Sequence, residues 1–458
     1  MITLPLREVA AVVRGELHGA DVLVTGAAYL DSRETVPGGL FVAIAGEHVD
    51  GHEYAGGAHA VLGSRPTDAP TVVVDDVTVA LGRLAALTVG TLEVPVLALT
   101  GSQGKTGTKD YLAHVLGDRA VATRANNNNE LGVPLTVLRA DESTEFLVLE
   151  MGARGIGHLA YLAEVAPPTI AAVLNVGTAH VGEFGGVEAI AAAKGELVEA
   201  LEPTGVAVLN ADDPRVAAMA SRTRAAVLTF GQDADVRWRD VTFDGRGRAR
   251  FELGHDGEWV PVALRQTGAH QVANAAAAAA MALAAGRRLE DVADRLGSAE
   301  AASRWRMELT ERADGLLVLN DAYNANPASM RAALDAVRAL GRDRRAAGGR
   351  TIAVLGEMKE LGPEHDRGHR EVGEAAAGVD VVVVVGEAAG AIAEAARAVG
   401  VPEVVLTAGR DDAAAWVRKN AVADDVVLVK ASRAAALEHI ASDLLAGSTP
   451  QNGGDTPR

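Results

Sequence analysis

Short unbroken apolar runs recur along most of the chain, and between them apolar residues return every three or four positions. Beyond residue 90 these runs fall at 94–99, 146–149, 170–174, 205–209 and 226–229. Continuous rather than alternating hydrophobicity marks strands buried on both faces, and strand–helix alternation makes such strands parallel. A second series at 316–319, 352–355, 381–385, 404–406 and 426–429 predicts another doubly wound sheet, in a unit that begins near Met307. Residues before about 90 read as a smaller α/β unit, with a helix over Leu4–Leu17 and strands at Leu40–Ile44 and Thr71–Val74. Residues 233–261 break the rhythm: Trp238, Gly245, Gly247, Gly254 and Gly257 stand in a partly alternating stretch that predicts an antiparallel hairpin. Ala275 to Ala285 is a greasy run too short to cross a bilayer, and reads as a buried helix. These patterns divide the chain into 1–92, 93–306 and 307–446. A polar Gly- and Pro-containing tail, 447–458, is expected to be disordered.

Composition narrows the function classes. The chain has 458 residues, enough for two to four domains and a substantial core. Hydrophobic residues make up 48% and aromatics only 3%, which suits parallel sheets covered by Ala-rich helices. The net charge of −18 and the lack of a long basic run exclude nonspecific nucleic-acid binding. Anionic substrates must therefore be received by local lysines, arginines or metal ions. Cysteine is absent, so disulfides and thiolate metal sites are excluded. The first residues lack the basic start and apolar core of a signal peptide, and a cytoplasmic location with no membrane span is expected.

The strongest local chemistry follows the run 94–99, in Thr100-Gly-Ser-Gln-Gly-Lys-Thr106, ahead of a predicted helix through Tyr111, Leu112, Val115 and Leu116. Strand, glycine loop, Lys-Thr and helix are the parts of a phosphate cradle. Glycines let backbone amides approach phosphate oxygens, and the helix N-terminus adds partial positive charge. Lys105 would reach the terminal phosphates of a nucleotide, and the Thr106 hydroxyl would ligate Mg²⁺. The loop is shorter than G-x-x-x-x-G-K-[ST], because Leu99 occupies the first glycine's place.

Other candidates sit at strand ends, where an open parallel sheet binds its ligands. Glu150 follows the run 146–149, within reach of a magnesium ion held by the loop, although a charged strand end also suits solvent. His180 and Lys194 lie on or after the next rim; taken alone, a satisfied histidine and a solvated helix lysine are the favoured readings of the two. Asn126 to Asn129 supply amides for sugar or phosphate, or a capped helix start. Asp31-Ser32-Arg33, ahead of a glycine-rich strand, either holds a diphosphate or uracil group or is an exposed turn. His270 and Asn274 open the Ala-rich helix. The last unit has no G-x-G-x-x-G, so a dinucleotide cofactor is not indicated. Its polar loops at 320–327, 356–362 and 430–433 suggest one ligand-binding face.

In their order and wording these motifs resemble the Mur ligase family, and within it the branch that adds D-alanyl-D-alanine to UDP-N-acetylmuramoyl-tripeptide. The resemblance runs from about Asp31 to Arg433. It rests on Asp31-Ser-Arg with Gly39-Leu-Phe-Val-Ala43, Thr100–Thr106, Asn128-Asn-Glu-Leu-Gly-Val-Pro134 and Glu150-Met-Gly-Ala153. Asn175-Val-Gly-Thr-Ala-His180, Ala193-Lys-Gly-Glu196, Asp321-Ala-Tyr-Asn-Ala-Asn-Pro327 and Leu355-Gly-Glu-Met-Lys-Glu-Leu-Gly362 complete it. The implied fold is a three-domain α/β architecture. A small N-terminal α/β domain binds the UDP-sugar, a central P-loop ATPase-type parallel sheet binds ATP, and a C-terminal Rossmann-like doubly wound domain completes the site.

The resemblance also implies roles. Gly101, Ser102, Gln103, Gly104, Lys105, Thr106 and Gly107 would cradle the ATP phosphates. Thr106 and Glu150 would hold one Mg²⁺, and His180 a second. Lys194 resembles a lysine that is carbamylated in several relatives, which turns a cation into an oxygen ligand. His270 and Asn274 would contact the nucleotide, Arg304 would stabilise the γ-phosphate, and Asp321 and Asn324 would meet ATP from the last domain. Ser32, Arg33, Asn128 and Asn129 would grip the UDP-sugar. The implied reaction passes through an acyl phosphate, with a closing hinge near residues 304–310, and a monomer is favoured. Gly107 departs from the family's usual threonine, Ala431 from a glycine, and Gly157-His158 from a Gly-Glu-Ile wording. Three rivals are weighed. A sister ligase adding one amino acid usually carries an Asp-Asn-Pro-Arg signature that is absent here, and a folate polyglutamate ligase lacks the N-terminal Gly-Leu-Phe-Val-Ala domain. A non-catalytic nucleotide-binding regulator would have lost Glu150, His180 or Lys194.

Overall fold

A computed structural model describes residues 1–46, 49–177, 184, 186–359 and 361–446. The predicted central sheet is present and wholly parallel. Its six strands run in the order Ala226–Phe230, Val206–Asn210, Ile170–Val173, Val96–Thr100, Phe146–Glu150 and Ala120–Ala122. Val96–Thr100 is buried at every position, as a strand covered on both faces must be. One face is covered by the helices Lys105–Leu116 and His270–Ala284, the second of which buries Ala275 through Ala282 without a gap. Alanine there lets the helix lie close to the strands while retaining the strongest helix propensity. The opposite face carries Gly132–Val137, His158–Val165 and Val187–Glu199, and its core is continuous with that of the N-terminal unit through Val77–Leu92. That long helix starts cleanly because the Asp76 carboxylate accepts from the Val79 amide.

The N-terminal unit is a five-stranded sheet in the order Glu16–His18, Thr71–Val73, Ala60–Gly63, Leu40–Val42 and Ala28–Tyr29, parallel except at its first pair. The single helix expected over Leu4–Leu17 is shorter than its pattern suggests. Leu4–Pro5 pairs with Leu23–Val24, the helix occupies Leu6–Val13, and Arg14 ends it at φ 61°. Gly15 then passes so close to the next strand that a Cβ would lie 2.7 Å from the Val73 carbonyl oxygen. Tertiary pairing has overridden local propensity here.

The stretch expected as a hairpin is a three-stranded antiparallel sheet, Arg237–Phe243, Arg248–His255 and Glu258–Thr267, with register shifts in both pairings. The C-terminal sheet runs Glu308–Glu311, Leu317–Asn320, Val426–Lys430, Thr351–Gly356, Val381–Val385 and Glu403–Thr407, with only its first pair antiparallel. Asn320, Gly356 and Lys430 end neighbouring strands on one rim, so the three polar loops do share a face. No helix among the described residues is long and apolar enough to cross a membrane.

Candidate active site

The loop after Val96–Thr100 turns into its helix at Gly104, whose φ of 78° lies in the left-handed region. Space also demands glycine here: a Cβ on Gly104 would lie 2.5 Å from Asn274 Oδ1, and one on Gly107 would lie 2.9 Å from Asn274 Nδ2. Gly107 thus stands where threonine would press on Asn274. Asn274 in turn donates from Nδ2 to Gln271 Oε1 at 3.0 Å, within the same Ala-rich helix, so the amide that lies against the loop is held from its own helix.

A residue that the sequence did not single out holds the loop's shape. Asn175 accepts from the Gln103 amide at 2.9 Å through Oδ1 and donates from Nδ2 to the Gln103 carbonyl at 3.1 Å, while its own carbonyl accepts from the Ser102 amide. The Ser102 hydroxyl accepts from the Gly177 amide at 2.8 Å. Both loop residues are therefore pinned to the neighbouring strand's exit, more than 70 residues away in sequence.

Lys105 donates to the Gly101 carbonyl at 2.7 Å. The surrounding protein lowers its pKa by desolvation, the Glu150 charge opposes this, and the nearby Arg306 guanidinium adds to it. Thr106 Oγ1 donates to Glu150 Oε2 at 3.0 Å, and Asn128 Nδ2 donates to Glu150 Oε1 at 2.8 Å. Glu150 is buried, and its amide donates to Thr123 Oγ1 at 3.0 Å. A threonine hydroxyl and one buried carboxylate make a hard oxygen set. That donor set fits Mg²⁺, which takes one or two carboxylates and completes its shell with phosphates and water. No cluster of three or more His, Asp or Glu side chains arranged for a metal occurs among the described residues. Asn128 thus faces Glu150, whereas the Asn129 side-chain oxygen accepts from the Gly132 amide at 2.9 Å and caps the following helix.

Lys194 lies on Val187–Glu199 and is buried, and its pKa falls well below 10.5, first through burial and then through the Lys105 charge. Glu196, two residues further along the same helix, accepts from the Gly157 and Ala160 amides and caps His158–Val165. His180 lies outside the described residues. Ser32 and Arg33 belong to the N-terminal unit, away from the phosphate loop; Arg33 forks onto Asp31, with Nη2 to Oδ2 at 2.6 Å.

Between the central and C-terminal sheets the structure separates two arginines that lie two residues apart. Arg304 is exposed, whereas Arg306 stacks over the Tyr323 ring at 4.1 Å, and its buried Nε has no hydrogen-bond partner. Arg306 stands in a turn flanked by two left-handed residues, Trp305 at φ 59° and Met307 at φ 50°. Each such residue costs about 1–2 kcal/mol and persists only where neighbours over-determine it. The neighbours are plain: the Trp305 amide donates to Glu308 Oε2 at 3.1 Å, and the Trp305 carbonyl accepts from the Tyr323 amide at 3.2 Å. Arg433 covers the Trp305 ring at 4.4 Å, and the Met307 amide donates to Asp321 Oδ1 at 3.1 Å. Asp321 Oδ2 meets Lys430 Nζ at 2.5 Å, while Asn324 is exposed and gives its carbonyl to the same ammonium at 2.9 Å. Burial lowers the pKa of His270, Asp321 opposes this and Lys430 adds to it, which joins this C-terminal cluster to the start of the Ala-rich helix. The arrangement can hold a nucleoside triphosphate on the loop, with a carboxylate and two cations around its terminal phosphate.

Residues 99–282 match the Mur ligase middle domain, and residues 305–433 match the Mur ligase glutamate ligase domain. The UDP-N-acetylmuramoyl-tripeptide–D-alanyl-D-alanine ligase of Mycobacterium tuberculosis (strain H37Rv) is 42% identical over 98% of this chain and 99% of its own length. Among solved structures, MurF from Acinetobacter baumannii superposes with a TM-score of 0.85 at 30% identity, covering 97% of this chain and 99% of that one. MurF ligase from Thermotoga maritima in complex with ADP gives 0.79 at 30% identity, covering 92% of this chain and 98% of that one.

Proposed function

From the premise that the chain belongs to the Mur ligase family, we propose that it joins D-alanyl-D-alanine to the terminal carboxylate of UDP-N-acetylmuramoyl-tripeptide at the expense of ATP. The products are UDP-N-acetylmuramoyl-pentapeptide, ADP and phosphate, in the cytoplasm. The observation that carries this reading is end-to-end identity with ligases of that activity, joined to an intact Lys105–Thr106–Glu150 cluster at the phosphate loop.

The reaction divides one difficult condensation into two displacements. The tripeptide carboxylate attacks the γ-phosphorus of ATP, the bond to the β,γ-bridging oxygen breaks, and ADP leaves. The dipeptide amine then attacks the acyl phosphate carbonyl, phosphate departs with the bonding pair, and the amine gives up a proton. Lys105 and Arg306 face the charge that gathers on the transferring group, in an otherwise acidic protein. Arg306 takes this role in place of Arg304, which is exposed. Thr106 and Glu150 would hold Mg²⁺, with His180 and Lys194 at a second ion, and magnesium there supplies Lewis-acid stabilisation of phosphate oxygens. Burial, and then the Lys105 charge, lower the pKa of Lys194, which favours the neutral amine that can add to carbon dioxide, release a proton and become a carbamate. Gly101, Ser102, Gln103, Gly104 and Gly107 line the cradle; His270 and Asn274, with Asp321 and Asn324 opposite, flank the nucleoside. Ser32, Arg33, Asn128 and Asn129 face the UDP-sugar. The division into a UDP-sugar unit 1–92, an ATP unit 93–306 and a last unit 307–446 belongs to the same reading; it is supported by the way the sheets partition the chain. A monomer is expected.

Phosphate release with Mg·ATP and UDP-N-acetylmuramoyl-tripeptide, with and without D-alanyl-D-alanine, tests the proposal. Dipeptide-dependent turnover with a pentapeptide-sized product is expected. Turnover with a single amino acid and none with the dipeptide refutes it, and so does ATP binding without turnover on any acceptor.

A further inference from the structure

We propose that Lys430 is a positioning residue for phosphoryl transfer: through Asp321 it anchors the backbone turn that aims Arg306 at the phosphate loop. The proposal rests on the role given above to Arg306 and adds to it a residue that touches neither nucleotide nor acceptor in that reading.

Lys430 ends a central strand of the C-terminal sheet, and its side chain is 2% exposed. Its ammonium has three acceptors: Asp321 Oδ2 at 2.5 Å, the Asn324 carbonyl at 2.9 Å and the Asp321 carbonyl at 3.4 Å. All three belong to one loop, 321–324. Every hydrogen bond of the ammonium among the described residues therefore goes to that loop. Asp321 passes the constraint on, because its other oxygen takes the Met307 amide at 3.1 Å. The same loop supplies the Tyr323 amide to the Trp305 carbonyl and the Tyr323 ring to the Arg306 guanidinium. Three of the contacts that hold Trp305-Arg306-Met307 in its left-handed turn thus originate in a loop that Lys430 clamps.

Stability alone does not account for such a pair. A buried ion pair is commonly matched or bettered by apolar side chains of the same volume, so its use is better explained by the geometry it imposes. The geometry at stake is specific. Trp305 and Met307, both non-glycine, sit at positive φ on either side of Arg306. If the Asp321 carboxylate swings away, the Met307 amide loses its acceptor and the turn relaxes toward ordinary backbone angles. Arg306 then leaves its place over the Tyr323 ring, from which its charge acts on Lys105. Arg433 and Glu308 support the Trp305 side of the turn, so its Met307 side depends on the Lys430–Asp321 pair.

The test is a double-mutant cycle on the full-length enzyme, using K430M, R306A and the combined variant. Initial rates of phosphate release would be measured with Mg·ATP, UDP-N-acetylmuramoyl-tripeptide and D-alanyl-D-alanine. K430M is expected to lower kcat about 10- to 100-fold, as loss of one aligned transition-state contact does, with KM for both acceptor substrates within about twofold. Added to R306A, it should cost less than about threefold more, since the contact it aligns is already gone. K430Q, judged by the same criteria, stands in if K430M is poorly folded by near-ultraviolet circular dichroism. A kcat for K430M within about twofold of the parent overturns the proposal, as does an equal factor in both backgrounds. Failure of both variants to fold assigns Lys430 to the fold and overturns it too. A fully active R306A removes the reading on which the proposal stands; a crippled R306A beside a healthy K430M removes the proposal alone.

Discussion

Gly104→Ala isolates how much of ATP binding comes from the preformed loop. The native residue sits at φ 78°, and a Cβ there would lie 2.5 Å from Asn274 Oδ1. Holding alanine in the left-handed region costs about 1–2 kcal/mol. Asn274 must also move, which breaks its 3.0 Å hydrogen bond to Gln271, a net loss of about 1 kcal/mol. The sum, about 2–3 kcal/mol, falls on the phosphate-binding conformation, because the loop escapes the strain only by turning its amides out of the cradle. At about 1.4 kcal/mol per decade, ATP binding should weaken about 30- to 150-fold. Calorimetric titration with Mg·ADP and KM for ATP in the phosphate-release assay measure this directly.

Gly107→Ala is the matched control. Gly107 lies in the helix Lys105–Leu116 without a positive φ, and its Cβ would meet the same amide group at 2.9 Å. Alanine there gains about 1 kcal/mol of helix propensity against a similar cost for moving Asn274. G107A should therefore bind ATP much as the parent does. If G104A stays within about threefold of the parent, or if G107A falls as far as G104A, the argument from backbone conformation is wrong.

Three further outcomes follow from the site. R304A should keep kcat within about threefold of the parent while R306A loses about 10²- to 10³-fold, read from phosphate release with all three substrates. Glu150→Gln removes the charge that raises the Lys105 pKa and the only carboxylate bonded to Thr106 among the described residues; the Mg²⁺ concentration for half-maximal rate should rise at least about tenfold, and an unchanged value would count against Glu150 as a metal ligand. Lys194 has a lower pKa folded than unfolded, so between its folded value and 10.5 the unfolded chain binds the extra proton. Its contribution to stability therefore grows as pH rises through that window. Urea denaturation at pH values rising toward 10.5 should show the parent gaining more stability with pH than K194M does, and parallel curves would refute a Lys194 pKa lowered by burial.

What could be read in the sequence was whatever is local. Thr100–Thr106 carries its own strand, glycines and helix start, so the cradle was legible without a fold, and Glu150 was placed by the end of the strand next to it in the sheet. The loops at 320–327, 356–362 and 430–433 were legible as one face because parallel strands expose their carboxyl ends together. Ala120–Ala122 and Glu308–Glu311 escaped notice, being edge strands too short or too polar to make an apolar run. Asn175 escaped for another reason: its work is done on backbone groups of Ser102 and Gln103, and nothing near position 175 records that distant partner. The two arginines show the limit most sharply. Arg304 and Arg306 differ in sequence only by their place around Trp305. Which of them turns inward onto Tyr323 is decided by two left-handed residues, and those are held by Asp321 and Tyr323, which lie on a different strand's loop. A side chain's direction in a strained turn depends on its tertiary supports, and spacing along the chain carries no trace of them. The choice of Arg306 as the proposed γ-phosphate arginine therefore rests on the geometry of the turn at 305–307, and the R304A and R306A pair tests that choice without reference to any other residue.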